Sequence, residues 1–407
     1  MSPHPLRRRL FLQFGLMAGG GLLSARFAFA APAVTDARFV FIILRGALDG
    51  LSAVPPYGDS DYARLREQLA IGAPGTADGA LALDGHFGLN PGLPFVHESY
   101  GAGEALIVHA VATPYRERSH FDGQDVLESG VPRPHASQTG WLNRAVAALP
   151  AGNAHGAQAG VALGQNVPLV LRGPAPIASW SPAKLPEIDD DTLQRIADRY
   201  ASDAVLSQRL GDALSTDRIA AESADPAMAA APAAGGAGRY LETVRTAAGF
   251  LKREDGPAVA VFDTTGWDTH FNEGGGQGQL TQRLTALDTA LRALKDSLGS
   301  TWSRTAVLIA TEFGRTAAAN GTRGTDHGTA AAAFLLGGAV HGGRVLCDWP
   351  GLSAHDLYQD RDLRATTDLR SVIKAVLRDH LQISARTLDA QVFPDSKVPY
   401  AADLIRA

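Results

Sequence analysis

The sequence predicts an α/β fold with a mainly parallel central sheet and helices on both faces. The first observation is the continuous apolar run Arg38-Phe-Val-Phe-Ile-Ile-Leu44, which is typical of a strand buried on both faces. The second is the helical spacing of Leu284, Leu287, Leu291 and Leu294. The third is the alternation of strand-like and helical segments, which is typical of doubly wound sheets.

Further strand-like runs follow in chain order at 104–111, 167–171, 258–262, 305–310 and 332–336. Helices are predicted at 124–128, 189–214, 239–252 and 280–298. The stretch 220–238 is rich in alanine, glycine and proline, so we expect a flexible insertion or surface loop there. Because the strands before and after it look like parts of one sheet, residues 31–407 are predicted to form a single domain.

Residues 1–30 predict an export signal. Arg7-Arg8-Arg9 precedes an uncharged stretch, and Ala28-Phe-Ala30 has the small-x-small pattern of a cleavage site. Arg8-Arg-Leu-Phe-Leu-Gln13 resembles a twin-arginine signal, which implies the twin-arginine export machinery as a partner and a periplasmic or secreted location. An ordinary Sec signal is the alternative. No apolar segment long enough to span a membrane is expected after cleavage.

Composition argues against several function classes. The net charge of -5 and the pI near 6.2 give no electrostatic reason to expect a nucleic-acid partner. Cys347 is the only cysteine, which excludes an intrachain disulfide and a thiolate metal cage. No dinucleotide-binding fingerprint follows the first predicted strand, and there is no set of cysteines for an iron–sulfur cluster. An oxidoreductase with a large cofactor is therefore a weaker interpretation than a hydrolase.

Acidic and histidine residues cluster at the ends of the predicted strands. The candidates are Asp49 after the first strand, Asp263, Asp268 and His270 after the fourth, Glu312 and Arg315 after the fifth, and His327 before the last. Open α/β sheets build active sites from such strand ends, and carboxylate and imidazole ligands suit zinc or manganese. Structural alternatives stay open: Asp49 and Asp263 could serve turns, Glu312 could pair with Arg315, and Asp326 could orient His327.

Ser119 opens the string Ser119-His120-Phe121-Asp122 before a helical run. It could be a plain helix N-cap, or a nucleophile stabilised by the helix N-terminus. Arg116 and Arg118 precede it and could bind phosphate or sulfate, or be solvated surface charges.

Five motifs of this chain resemble the bacterial family known as domain of unknown function 1501. They are Leu44-Arg-Gly-Ala-Leu-Asp-Gly-Leu-Ser52, Arg118-Ser-His-Phe-Asp-Gly-Gln124, Gly266-Trp-Asp-Thr-His270, Thr311-Glu-Phe-Gly-Arg-Thr316 and Gly324-Thr-Asp-His-Gly328. The resemblance runs from about Phe39 to the C-terminus and implies an alkaline-phosphatase-like fold, as a remote branch of the alkaline phosphatase and sulfatase superfamily.

The resemblance also implies roles for single residues. It makes Asp49 the first metal-binding aspartate, Ser119 the nucleophile, Asp268 and His270 a ligand pair, and His327 the last metal histidine. Phe313 stands beside Glu312 where the superfamily has a histidine. A single-metal or altered site is therefore expected, and a metal-free descendant is the alternative.

The leading hypothesis is an exported metal-dependent hydrolase of phosphate or sulfate esters, acting on a small-molecule or glycan anionic ester. Zinc, manganese, calcium or magnesium would polarise the ester oxygen and activate Ser119 or a water, with Arg118 and Arg315 neutralising charge. The expected ligands are Asp49, Asp263, Asp268, His270, Glu312 and His327. The alternative is a non-catalytic exported binding protein that keeps the fold with a degenerate metal site.

Overall fold

A mixed sheet forms the centre of the protein. The computed structural model describes residues 36–150, 159–164, 166–181, 190–200, 202–223, 236–394 and 396–406. The strands in this part of the chain are β1 (Arg38–Arg45), β2 (Leu81–Ala82), β3 (Gly88–Leu89), β4 (Ala105–Ala112), β5 (Gly160–Leu163), β6 (Ile177–Trp180), β7 (Val259–Thr265), β8 (Thr305–Thr311), β9 (Ala331–Leu336), β10 (Arg344–Leu346) and β11 (Thr367–Asp368). Only β2 and β3 stand apart among these, as a separate antiparallel pair.

The sheet is mostly parallel. Its order is β10-β4-β9-β8-β1-β7-β5-β6, with β11 beside β4. Strand β9 runs antiparallel to both β4 and β8, and the other pairings of this sheet are parallel. The predicted α/β class with a mainly parallel central sheet is thus confirmed.

Strand β1 is buried on both faces of the sheet, because its consecutive side chains pack alternately into two apolar cores. Val40, Ile42 and Leu44 belong to one apolar core, whereas Phe39, Phe41 and Ile43 belong to the other. Successive strand residues point to opposite faces, so an uninterrupted apolar run is required where both faces are covered. The first core also takes side chains from the helices Pro94–Gly101, Gly236–Lys252 and Gln279–Leu298, and the second from His120–Ser129, Trp141–Ala147 and Leu369–Asp379.

The structure also describes several shorter or less central helices, together with the buried helix Gly50–Ala53. They are Gly50–Ala53, Tyr62–Arg66, Asp190–Tyr200, Ala204–Ser223 and Ala385–Thr387, with 3₁₀ turns at Glu67–Leu69, Leu169–Leu171 and Gly299–Arg304 and a π turn at Leu388–Val392. In the ranges described, no helix is long and apolar enough to cross a membrane.

The predicted strand at 167–171 is wrong. Leu169–Leu171 is a 3₁₀ turn, and Val170 and Leu171 pack into the second core beside Trp141. A short apolar run signals burial without distinguishing a strand from a buried turn. The short strands β5 and β6 extend the sheet on this side instead.

The alanine-rich segment 220–238 is helical at both of its ends. One helix continues to Ser223 and the next begins at Gly236, while the residues between them lie outside those described, as do the predicted signal at 1–30 and its cleavage site. Alanine is the strongest helix former, which explains why the first of these helices extends through Ala220 and Ala221 into a stretch predicted as a loop. The predicted helix 189–214 is two helices, Asp190–Tyr200 and Ala204–Ser223.

The antiparallel direction of β9 determines where the polar loops meet. Strands β1, β4, β7 and β8 run the same way, so their carboxyl ends share one edge of the sheet. Because β9 runs the opposite way, its amino end lies at that same edge. Residues that precede β9 can therefore meet residues that follow the other strands.

Candidate metal centre

Three segments contribute side chains to one cluster at this edge. Asp268 and His270 follow β7, His327 precedes β9, and His120 is the first residue of the helix after β4. The carboxylate of Asp268 is central: its Oδ1 lies 3.0 Å from His270 Nε2 and 3.2 Å from His327 Nε2, and its Oδ2 lies 3.5 Å from His120 Nε2. Ligand atoms of His120, Asp268 and His327 all lie within 4.8 Å of one another, as metal ligands do.

Every imidazole of the cluster turns its Nε2 inward and has its Nδ1 engaged by an oxygen. His120 Nδ1 lies 2.8 Å from Glu312 Oε1, His270 Nδ1 lies 3.2 Å from Asp326 Oδ1, and His327 Nδ1 lies 2.9 Å from the carbonyl of Arg118. Ionised carboxylates and carbonyls only accept hydrogen bonds, so each Nδ1 must donate. In the neutral tautomer each inward Nε2 then carries a lone pair.

Those inward nitrogens lie close enough together to share either a proton or a cation. The Nε2 atoms of His270 and His327 are 3.0 Å apart, and the buried Nε2 of His120 has no hydrogen-bond partner. Two nitrogens that each lie ~2.0–2.1 Å from one ion are separated by about 2.9–3.4 Å, from octahedral to tetrahedral angles. The separation observed falls in this range, so the residues fit a bound divalent metal.

Arg315 anchors the ligand carboxylate. Its Nη1 lies 2.5 Å from Asp268 Oδ1, and its Nε and Nη2 bind the hydroxyl and carbonyl of Thr325. Burial opposes ionisation of Asp268, but the bond and charge of Arg315 outweigh it and hold the pKa of that carboxyl below its usual value. Asp268 is therefore an ionised carboxylate, as a metal ligand must be.

Glu312 orients His120 and lies outside the group of His120, Asp268 and His327, where it was predicted to be a ligand. It is fully buried and accepts hydrogen bonds from His120, from the backbone N–H of Gly46 at 2.9 Å and from Gln124 at 3.2 Å. Burial opposes its charge, but these donors keep the pKa of Glu312 below the ordinary glutamate value. The bond to Glu312 correspondingly raises the pKa of His120.

Asp326 contacts and orients His270. The alternative considered from the sequence was that Asp326 orients His327, and the structure does not show that contact in the described residues. The partner of His327 is the carbonyl of Arg118, whose backbone has a left-handed φ of 61°. Burial, and then the charge of His120, lowers the pKa of His327. The two histidines thus depend on acceptors from opposite sides of the cluster.

The two predicted catalytic arginines are both paired with carboxylates. Arg118 binds Asp362 through Nε at 2.8 Å and Gln359 through Nη2 at 2.6 Å, so its carbonyl and not its guanidinium contacts the cluster. Arg315 is buried on Asp268. Their guanidinium charges are directed to protein carboxylates in this conformation.

Ser119 lies beside the cluster as the N-cap of the helix that begins at His120. Its side chain makes no capping hydrogen bond, and its backbone N–H donates to the Tyr115 hydroxyl at 3.1 Å. The helix begins four residues earlier than the predicted 124–128 and ends at Ser129.

Asp49 lies outside the cluster, contrary to its predicted role. Its carboxylate is buried, caps the short helix Gly50–Ala53 through Ser52 N–H, and pairs with Arg66 at 2.5 Å. Burial opposes its charge, but Arg66 lowers the pKa of Asp49 below the usual value. Its acceptor capacity is used by Ser52 and Arg66.

Asp263 also lies outside the cluster. Its carboxylate pairs with Arg45, which in turn binds Glu128 at 2.7 Å and Gln124 at 2.9 Å. Asp263 is still within β7, opposite Ile43 of β1, whereas Asp268 and His270 lie beyond the strand end. The turn that follows, with Gly266 at φ 96°, redirects the chain toward the cluster.

Two glycines allow the loops to approach closely. A Cβ at Gly46, which has φ 121°, would lie 2.6 Å from the backbone nitrogen of Asp268. A Cβ at Gly328 would lie 2.3 Å from the backbone of Arg315, across the bridge that joins Arg315 to His327. Such distances require the absence of a side chain.

His120 is the residue of the cluster that the sequence reasoning missed. It stood in the string quoted around Ser119, and a histidine directly after a helix N-cap at a strand exit was the available signal. Without the sheet order it could not be distinguished from the other scattered histidines. The side chains of His120, His327, His270 and Asp268 are 23%, 26%, 30% and 40% exposed, so the cluster opens to solvent on one side.

Comparison with known families identifies the chain as a relative of one group. Residues 96–392 match the model of a family described as "Protein of unknown function (DUF1501)". The match covers most of the 407 residues, so the chain belongs to this family. None of the curated proteins compared matches it.

Proposed function

We propose that this member of the DUF1501 family is an exported, metal-dependent hydrolase of phosphate or sulfate esters with a single-metal site. The observation that carries the proposal is the convergence of three imidazole Nε2 atoms on Asp268, each with its Nδ1 held by an acceptor. Metal-binding histidines almost always have such an Nδ1 partner, which fixes the tautomer and the ring orientation.

The donor set indicates which metals fit. His120, His270, His327 and Asp268 would supply three nitrogens and one carboxylate. Calcium and magnesium prefer oxygen ligands, whereas imidazole suits zinc and other transition metals, and carboxylate suits manganese. Zinc or manganese is therefore favoured over the calcium or magnesium also considered from the sequence.

The residues around the cluster support hydrolysis in distinct ways. A bound metal would polarise the ester oxygen and stabilise the charge that develops on it. Ser119 sits at the N-terminus of a ten-residue helix, where unpaired N–H groups favour a negatively charged oxygen. The partial exposure of the four ligands leaves an approach for an anionic ester.

The same arrangement supports kinship with the alkaline phosphatase and sulfatase superfamily. The ligands come from the loops after β7 and before β9 of a mostly parallel sheet, as the sequence motifs imply for Asp268, His270 and His327. Because Asp49 is paired with Arg66 and Glu312 with His120, the residues of a second metal site are committed elsewhere. A single metal is thus part of the proposal.

Export is proposed from the N-terminal sequence. Arg8 and Arg9, followed by an uncharged segment and Ala28-Phe-Ala30, support recognition by the twin-arginine machinery and a periplasmic or secreted location. The substrate would then be a small-molecule or glycan ester outside the cytoplasm.

A second candidate is a non-catalytic exported protein that binds an anionic glycan or partner. The observation that favours it is the pairing of Arg118 with Asp362 and of Arg315 with Asp268. A phosphoryl or sulfuryl group needs cationic partners in its transition state, and these two guanidinium groups are already engaged.

The test is hydrolysis of para-nitrophenyl phosphate, bis(para-nitrophenyl) phosphate and para-nitrophenyl sulfate by the mature protein, purified without chelator and supplied with zinc or manganese. We expect turnover that EDTA abolishes and that Asp268→Asn combined with His327→Ala reduces at least 100-fold. The control is His355→Ala, because that side chain is 85% exposed and contacts Ser353 and Asp356, which are not among the ligands.

The outcomes separate the two candidates. Tight metal binding without turnover of any of the three esters favours the binding protein. Turnover that survives both ligand substitutions contradicts the site assignment. Loss of activity in Ser119→Ala with retained metal would identify Ser119 as the nucleophile, and unchanged activity would assign that role to water.

A further inference from the structure

A buried glutamate lies directly behind the metal centre. Glu273 has no exposed surface and is three residues beyond His270. Its Oε2 lies 2.8 Å from the hydroxyl of Thr269 and 2.9 Å from the hydroxyl of Thr325. One carboxylate oxygen therefore bridges two loops that are far apart in sequence. His270 and Asp326, which belong to the same two loops, are separated by 56 residues.

Both bridged threonines are embedded among the site residues. Thr269 stands between the ligands Asp268 and His270, and Thr325 immediately precedes Asp326 and His327. The two loops also share a backbone hydrogen bond, from Thr325 N–H to the Thr269 carbonyl at 3.2 Å. A displacement of either threonine would thus move two groups of the cluster.

The direction of the hydrogen bonds is determined by the donors. Thr325 Oγ1 accepts from Arg315 Nε at 3.1 Å, so its own proton goes to Glu273. Arg315 in turn binds Asp268. The chain Glu273–Thr325–Arg315–Asp268 therefore connects a buried carboxylate to the metal-binding one, and each oxygen in it has a defined role.

The other oxygen of Glu273 contacts the two short helices that follow β1. Its Oε1 accepts from Ser52 Oγ at 2.8 Å and lies 3.4 Å from Arg66 Nη2, which also binds Asp49. Asp49, Ser52 and Arg66 are all buried. One oxygen of Glu273 thus contacts the buried residues Ser52 and Arg66, and the other contacts the two loops that carry Thr269 and Thr325.

We propose that Glu273 is a positioning residue of the metal centre, which holds the 266–270 and 324–327 loops together and orients Arg315 on Asp268. The proposal rests on the proposed metal site. It gives Asp49 an indirect role, through Arg66 and Glu273, in place of the ligand role expected from the sequence.

The test compares Glu273→Gln with the pair Thr325→Val and Thr325→Ser. Glutamine keeps the shape but offers only one acceptor oxygen, so on one side its amide NH2 must face hydroxyls that donate to Glu273 in the unsubstituted protein. Valine keeps the shape of Thr325 without its hydroxyl, whereas serine keeps the hydroxyl. Loss of a group that orients metal ligands typically weakens metal affinity 10- to 100-fold.

We expect Glu273→Gln and Thr325→Val to bind zinc 10- to 100-fold more weakly in a chelator competition and to change the visible spectrum of the cobalt-substituted protein. Thr325→Ser should bind within about threefold of the unsubstituted protein. The control for general destabilisation is Asp288→Asn, because Asp288 is also a buried carboxylate with two bonds but caps the distant helix at Phe95 and Val96.

Hydrogen exchange of metal-free protein tests the inference separately from the proposed function. Glu273→Gln should accelerate amide exchange in both loops about tenfold, while Asp288→Asn should not. Unchanged exchange in these loops, or zinc affinities that follow only the loss of melting temperature shared with Asp288→Asn, would overturn the proposal. Failure of the hydrolase proposal would appear instead in the unsubstituted protein, as metal binding without turnover.

Discussion

The histidines of the cluster differ in the acceptor that holds each ring. Glu312 is a fully buried carboxylate 2.8 Å from His120, whereas the Asp326 side chain is 53% exposed and lies 3.2 Å from His270. Water screens an exposed charge and replaces a lost exposed hydrogen bond, so a buried acceptor contributes more. The same kind of contact should therefore matter unequally at the two rings.

Glu312→Gln should weaken zinc binding more than Asp326→Asn. We expect a loss of 10- to 100-fold for the first and less than about tenfold for the second, because only the first removes a buried charge from behind a ligand. A chelator competition at pH 7.5, repeated with His355→Ala as the unaffected reference, measures both. Equal losses, or a larger loss for Asp326→Asn, would contradict the weight given to burial.

The sequence predicted only some of the residues of the site. Asp268, His270 and His327 were predicted because they lie at strand boundaries within compact motifs. Asp49 and Asp263 lie in equally suggestive places but pair with Arg66 and Arg45, whose positions depend on tertiary packing. Local sequence does not distinguish a carboxylate that meets a metal from one that meets a buried guanidinium.

At the scale of elements, the reversed strand β9 brings His327 to the ligands after β7. The apolar runs predicted β1, β4, β7, β8 and β9 to within one or two residues at most boundaries. They could not predict that β9 is antiparallel to its neighbours, since an apolar run is compatible with either strand direction. Nor could they give the order of β7, β1 and β8, which long-range pairing decides.

The close approach of the β1 and β7 loops yields a stability prediction. Gly46→Ala should lower the free energy of unfolding by roughly 2–4 kcal/mol, because its Cβ would press on the Asp268 backbone and because φ 121° strains alanine. Urea unfolding monitored by circular dichroism checks this value.

Gly75→Ala separates the two causes in Gly46→Ala. Gly75 also has a positive φ, of 88°, but a Cβ there would meet nothing within 4 Å. That substitution should cost only about 1 kcal/mol of backbone strain. If the two variants were equally stable, the close contact between Gly46 and the Asp268 backbone would make no measurable contribution to the loss of stability.

At the scale of the whole molecule, two buried histidines couple stability to pH. His109 and His380 are fully buried, and burial lowers the pKa of each to about 4. Because the ordinary histidine pKa is near 6.5, the unfolded chain binds these protons first as pH falls. The stabilisation is therefore complete above pH 6.5 and is lost as the pH falls toward 4.

His380→Gln should reduce this acid sensitivity. Glutamine can still donate to the Arg38 carbonyl, which His380 Nε2 contacts at 2.8 Å, but it does not titrate. In EDTA, the unsubstituted protein should lose about 2 kcal/mol more unfolding free energy between pH 7 and pH 5 than the variant. The exposed control His355→Gln should keep the full loss, and an identical loss in all three proteins would refute the linkage.

Metal content tests the central claim most directly. Protein purified without chelator should bind one equivalent of zinc or manganese per chain in equilibrium dialysis followed by elemental analysis. The combined Asp268→Asn and His327→Ala variant should bind less than a tenth of that, while His355→Ala should bind the full amount. An unsubstituted protein that binds no divalent metal, or a double variant that retains one equivalent, would contradict the account of this site.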